Sequence, residues 1–164
     1  MKKYITLAIV LITVTLHGQS ENTVTNEKVL SLNNTQWVGE LMYLDYSNGK
    51  ETTLKTNMQI TTKNNKITMN TQFVYEPSAI SKNTIKFKKN GTYFGNEKIT
   101  NKSVSADGTI TVITTCEGRD NNEPPTITKT YNISELYFSV TKEVQFKDAK
   151  TKFIRNRSTY IKLL

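Results

Sequence analysis

The 164-residue chain is poor in the residues that most often carry catalysis or cross-links: it has one Cys, one His, one Trp and three Pro. A single cysteine, Cys116, allows no internal disulfide, so stability has to come from packing and sheet hydrogen bonds. Its thiol is expected to be buried and inert. The sole histidine, His17, lies at the end of a segment that reads as removable. Without it no Ser-His-Asp or Cys-His arrangement assembles, a zinc site of the common His/Cys kind lacks ligands, and a haem lacks an axial His. There is no Gly-x-Gly-x-x-Gly and no phosphate-binding Gly-Lys-Ser/Thr loop. The expectation is a protein that is not an enzyme, with no catalytic residue, metal or cofactor. Binding is favoured over chemistry.

Long hydrophobic runs are also scarce, and the one present has the form of a secretory leader. Met1-Lys2-Lys3-Tyr4 is cationic, Ile5 to Leu16 is apolar, and His17-Gly18-Gln19-Ser20 offers a small residue at the cut. Twelve residues are too few to span about 30 Å of hydrocarbon as a helix. Cleavage after Gly18 is expected, giving a periplasmic or secreted protein. No Cys lies near the cut to receive a lipid. Loss of Lys2 and Lys3 takes the basic residues from 22 to 20 against 14 acidic ones, so the net charge falls from +8 to +6. The organisation predicted is a signal peptide over 1–18, a polar tail over 19–35 and one domain over 36–164. Within the tail, Val29-Leu30-Ser31-Leu32 is an apolar patch suited to a single helical turn.

From Gln36 onward the hydrophobic period is two. Leu54, Thr56, Met58 and Ile60 alternate with Lys55, Asn57 and Gln59, and the run Leu136 to Lys147 does the same at greater length. Such alternation marks half-buried strands, and the supply of Thr, Ile, Val, Tyr and Phe agrees. Asn48-Gly49, Asn64-Asn65, Asn90-Gly91 and Asp107-Gly108 punctuate the runs, and these residues tolerate the positive φ of tight hairpin turns. Longer connections are predicted at Pro77 to Lys82 and Gly118 to Pro125. The strands are placed at about 36–46, 51–62, 66–76, 83–89, 92–101, 109–117, 126–133, 136–147 and 152–163. The predicted fold is all-β: an antiparallel up-and-down meander of about eight or nine strands, closing into a barrel to remove its edges. A two-sheet β-sandwich is the alternative.

The ends of that meander carry a resemblance. Trp37 lies in the first strand two residues before Gly39, and the last strand contains Arg155 and Arg157. An early Trp with a late Arg resembles the lipocalin-like (calycin) barrels, and Trp37 to Tyr46 is similar to the opening of secreted bacterial lipocalin-like proteins. The resemblance implies that first and last strands pair, that Arg155 or Arg157 packs across Trp37 to close the barrel, and that the interior holds a small apolar or amphipathic ligand. Tyr43, Phe73, Tyr75, Phe87 and Phe138 are the inward aromatics that would line such a cavity or simply fill the core. An eight-stranded barrel is wide enough for either.

Other patterns point to less. Ser139-Val140-Thr141-Lys142 spells Ser-x-x-Lys, but residues three apart on a strand face opposite sides. Glu40, Asp45, Glu117, Asp120 and Glu123 fall on predicted turns and outward faces, where solvated carboxylates are expected, and Asp120 to Glu123 lacks the Ca²⁺-loop spacing. The lysines, densest at Lys86-Phe87-Lys88-Lys89, read as a solvated strand face, with no nucleic-acid partner and no stable membrane insertion expected. Oligomeric state is left open. Two further functional readings remain: a cell-surface structural or interaction module with a filled core, or an eight-stranded outer-membrane barrel.

Overall fold

The computed structural model describes residues 22–164. The signal-peptide expectation falls on 1–18 and lies outside the described residues.

Ten antiparallel strands follow one another and close: β1 (Thr35–Asp45), β2 (Lys50–Thr62), β3 (Lys66–Phe73), β4 (Glu76–Lys88), β5 (Tyr93–Phe94), β6 (Glu97–Val104), β7 (Ile110–Glu117), β8 (Thr126–Ile133), β9 (Tyr137–Gln145) and β10 (Phe153–Lys162). Each pairs with its sequence neighbour, and β1 pairs with β10 from Trp37↔Lys162 to Tyr43↔Asn156. The fold is the all-β barrel; the sandwich alternative is excluded by that closing ladder. Two departures from the expected strands stand out, and the first raises the count from nine to ten. Gly95, at φ +61°, turns the chain inside the single strand expected over 92–101 and divides it into β5 and β6. The loop expected over Pro77 to Lys82 is instead the start of β4. Gln72 pairs with Ile80 while Phe73 pairs with Glu76, so Pro77 to Ala79 bulge out of the ladder. A bulge is where a residue without an N–H is tolerated in a sheet. The Asn turns behave as read: Asn64 and Asn65, at φ 50° and 56°, make a two-residue hairpin closed by reciprocal bonds between Lys63 and Lys66.

One end of the barrel is filled. A 3₁₀ helix (Asn26–Leu32) precedes β1 and buries Val29 and Leu32 against Trp37, Ile60 and their neighbours. Val24 joins them through its backbone N–H, which donates to the Gly91 carbonyl at 3.0 Å. The polar tail thus contributes the lid of the core. Trp37 is fully buried, and its indole N–H needs an acceptor. It donates to Thr35 Oγ1 at 2.7 Å, and Thr35 Oγ1 in turn donates to the Leu32 carbonyl at 2.6 Å. This short relay ties the 3₁₀ helix to the first strand. Its ring packs on Phe138, centroids 6.3 Å apart. Among the described residues no guanidinium lies across the Trp37 ring.

Closure also needs Gly39. A Cβ there would meet the Thr159 carbonyl oxygen at 1.9 Å and Tyr160 Cδ1 at 2.7 Å, because β10 crosses β1 so closely. Gly39→Ala is expected to destabilise the fold by about 2–3 kcal/mol, the scale of an overpacked core. Chemical denaturation checks this; a loss below about 0.5 kcal/mol would mean that the strands can separate there without penalty.

Candidate functional site

The other half of the interior is not filled. A cavity of about 340 Å³ lies there, with Leu41, Met58, Met69, Phe73, Phe138 and Val140 on its apolar walls. Thr71, Ser81, Asn83, Asn156, Ser158, Lys129 and Lys142 supply polar walls. Strand alternation explains the set: Leu41 shares the inward face of Trp37, and register carries that face through Met58, Thr71 and Ser81 on β2, β3 and β4. Tyr131 and Tyr160 form part of the floor, between the cavity and the filled end.

Two ion clusters stand in this half. In the first, Glu97 of β6 accepts a charge-assisted bond from Lys129 of β8. It also accepts from Thr114 Oγ1 at 2.7 Å and from the Tyr131 hydroxyl at 3.3 Å. Burial, then the nearby Glu97 charge, pushes the Tyr131 hydroxyl well above its ordinary pKa, so it is a fixed donor at neutral pH. In the second cluster, Asp120 from the β7–β8 loop accepts from Lys142 of β9 and from Arg155 Nε of β10 at 3.3 Å. Only 7% of the Asp120 side chain is exposed. Burial opposes its charge, but the bond from Lys142, the nearby Tyr46 hydroxyl and the charges of Lys142 and Arg155 outweigh burial and hold its pKa below the ordinary value.

Arg155 reaches this cluster because of a β-bulge. The β9–β10 register shifts between Ile154 and Asn156, leaving Arg155 as the extra residue. Such a bulge re-aims a side chain. The guanidinium lies over the Tyr46 ring at 4.2 Å and donates to the Leu44 carbonyl. The Tyr46 hydroxyl is buried with no partner within bonding distance among the described residues, and burial first, then Asp120, raises its pKa to about 12.

The expected site residues separate in space. Phe73 and Phe138 line the cavity. Tyr43 has the inward parity of Leu41 and pairs with Asn156, near the mouth. Phe87 is not at the cavity: it is buried in the filled end, its ring 5.4 Å from Phe94. Tyr75 is 79% exposed, since the β3–β4 connection turns it out to solvent. The expected packing of Arg155 or Arg157 on Trp37 is also corrected. Arg155 stacks on Tyr46, and Arg157, outward beside Met42, reaches Thr141 Oγ1 at 3.3 Å. The expected solvation of Asp120 fails because its loop brings the carboxylate onto Lys142 and Arg155. Sequence reasoning missed Lys129, Lys142, Asn83 and Asn156. Lys142 already stood at an apolar position of the β9 alternation, which was a readable sign of an inward charge.

Among the described residues no group of three His, Cys, Asp or Glu side chains could hold a metal ion. Cys116 is half-buried, and desolvation, then Glu97, raises its thiol pKa. No helix of the described residues is long and apolar enough to cross a membrane.

No family model matches the chain, and no curated protein matches it. Among solved structures it is similar in chain path to the S-type phycobiliprotein lyase CPES from Guillardia theta, at 8% identity and a TM-score of 0.49, over 87% of this chain and 95% of that one.

The Asp120 cluster sets an acid limit. A carboxyl with a depressed folded pKa stabilises the fold above its unfolded value, about 4, and that contribution fades as pH falls through the folded pKa. Denaturation midpoints of wild type and Asp120→Asn are therefore expected to differ most at neutral pH and to converge in acid. A gap that stays constant from pH 7 to pH 2 would sink this assignment.

Proposed function

We propose that the protein is an exported, lipocalin-like barrel that holds a small amphipathic molecule in the open half of its interior, without transforming it. The observation that carries this reading is the cavity of about 340 Å³, walled on one side by Leu41, Met58, Met69 and Phe73 and on the other by Lys129, Lys142 and Asn156. Small-ligand sites fall in this range and combine apolar walls with a few placed polar groups. A filled-core module would have closed such a void, since unfilled volume is destabilising. The pairing of first and last strands, which the resemblance implied, supports the same reading.

Binding rather than catalysis is supported by how the polar groups are used. Glu97 is committed to three donors and Asp120 to two, so neither stands as a free base for a nucleophile at the cavity. A water-soluble barrel is supported over a membrane one by the outer face, where Lys55, Asn57, Gln59, Lys86 and Lys88 are all exposed. Export is supported by the leader-like residues Met1 to Gly18.

Nile Red, a neutral apolar dye, tests the cavity. It is expected to bind wild type with a fluorescence rise, and Ser158→Phe, which places a ring in the void, should weaken binding about tenfold or more while the protein keeps a cooperative melt. Unchanged affinity in the variant would place the dye elsewhere and sink the reading. For export, protein recovered from its native host should begin at Gln19 and lie outside the cytoplasm. An intact Met1 on cytoplasmic protein overturns that part.

A further inference from the structure

We infer that the ligand of this cavity is a monoanion, a carboxylate joined to an apolar body, with its head on Lys129 and Lys142. This rests on the cavity being a ligand site and adds what the site selects. Lys129 and Lys142 are direct cross-strand partners on the inner face of β8 and β9, and both line the cavity. Like charges placed opposite each other on a sheet repel, and a barrel interior makes that repulsion worse by lowering the dielectric. The arrangement persists because a carboxylate flanks each ammonium: Glu97 on Lys129 and Asp120 on Lys142.

The compensation is incomplete. Each ammonium has three N–H donors, and among the described residues each bonds one carboxylate. Donor capacity on both lysines therefore remains available in the cavity that both line. The charges also fail to cancel. Lys129, Lys142 and Arg155 bring three positive charges to the two clusters, and Glu97 and Asp120 bring two negative ones. The excess is one positive charge, which one bound monoanion neutralises. A doubly charged phosphate would overshoot, and the bidentate fork that favours phosphate is absent from the wall, because Arg155 is spent on Asp120 and Leu44. Opposite the lysines the wall is Leu41, Met58, Met69 and Phe73, which accommodates the apolar body. Asn156 and Ser158 of β10 lie beside them as further donors, Asn156 being the cross-strand partner of Lys142.

Displacement of Nile Red by three probes of matched chain tests this: dodecanoate, dodecanol and dodecyltrimethylammonium. Dodecanoate is expected to displace the dye at a concentration about tenfold or more below that of dodecanol, the scale of one charge-assisted hydrogen bond, and the cation is expected to be weakest. Lys129→Met and Lys142→Met should each reduce the dodecanoate-to-dodecanol ratio. Either change strands a buried carboxylate, so two paired variants guard against misfolding: Lys129→Gln with Glu97→Gln, and Lys142→Gln with Asp120→Asn. They remove an ion pair while keeping shape, and they too should lower the ratio. Equal displacement by acid and alcohol overturns the monoanion inference and leaves the cavity reading intact. A preference that survives in all the variants overturns the assignment to these lysines. Failure of Nile Red to bind wild type overturns the cavity reading and this inference with it.

Discussion

The pairing of β1 with β10 is the constraint on which the rest of the molecule depends. A meander of ten strands has two edges, each a row of unpaired N–H and C=O groups, and the closing ladder from Trp37↔Lys162 to Tyr43↔Asn156 removes both. It also creates an inside. The near contact at Gly39, where no Cβ fits, lets the last strand lie flush on the first. Once the circle is closed, the inward residues of every strand share one enclosed volume, and their sizes and charges decide how it is used.

That use is asymmetric. At one end, aliphatic and aromatic side chains fill the space and the Asn26–Leu32 helix seals it, bonded to the barrel through the Leu32–Thr35–Trp37 relay. At the other, five ionised groups and a set of amides and hydroxyls stand around a void. Charges taken out of water cost several kcal/mol each and are tolerated only with good partners. Apolar residues of like volume would serve stability as well or better. Glu97 with three donors and Asp120 with two meet the condition for survival, while the lysines keep donor capacity in hand. A cost sustained at this end is the physical basis for proposing it as the ligand-holding one.

Much of the fold was legible along the chain, since side-chain direction in a strand depends only on parity. The strands from β1 to β3 and from β7 to β10 fall within a few residues of the alternating runs, and the Asn64-Asn65 turn follows from the tolerance of Asn for positive φ. Legibility ended where several strands had to be considered together. Pro77 suggested a loop, but a partner strand offered a bulge that absorbs a residue without an N–H. Asp120 had the sequence context of a solvated turn, and only the tertiary placement of its loop brings it to Lys142 and Arg155. Phe87 and Phe138 are both buried inward aromatics, yet one lies in the packed end and the other on the cavity wall, because height along the barrel depends on register accumulated over every intervening strand.

The sequence by itself determined the local facts: strands, their inward faces, most turns, an N-terminal segment of leader-like composition, and the lack of a histidine-based catalytic set beyond residue 17. These follow from one residue and its near neighbours. Tertiary structure alone decided that Arg155 stacks on Tyr46 rather than on Trp37, that Lys129 and Lys142 face each other, and that the interior is full at one end and hollow at the other. A bulge at one residue turns a guanidinium inward, and a void is a property of volumes gathered from seven strands at once. Neither quantity is written in any single stretch of chain, so only closure of the barrel could fix them.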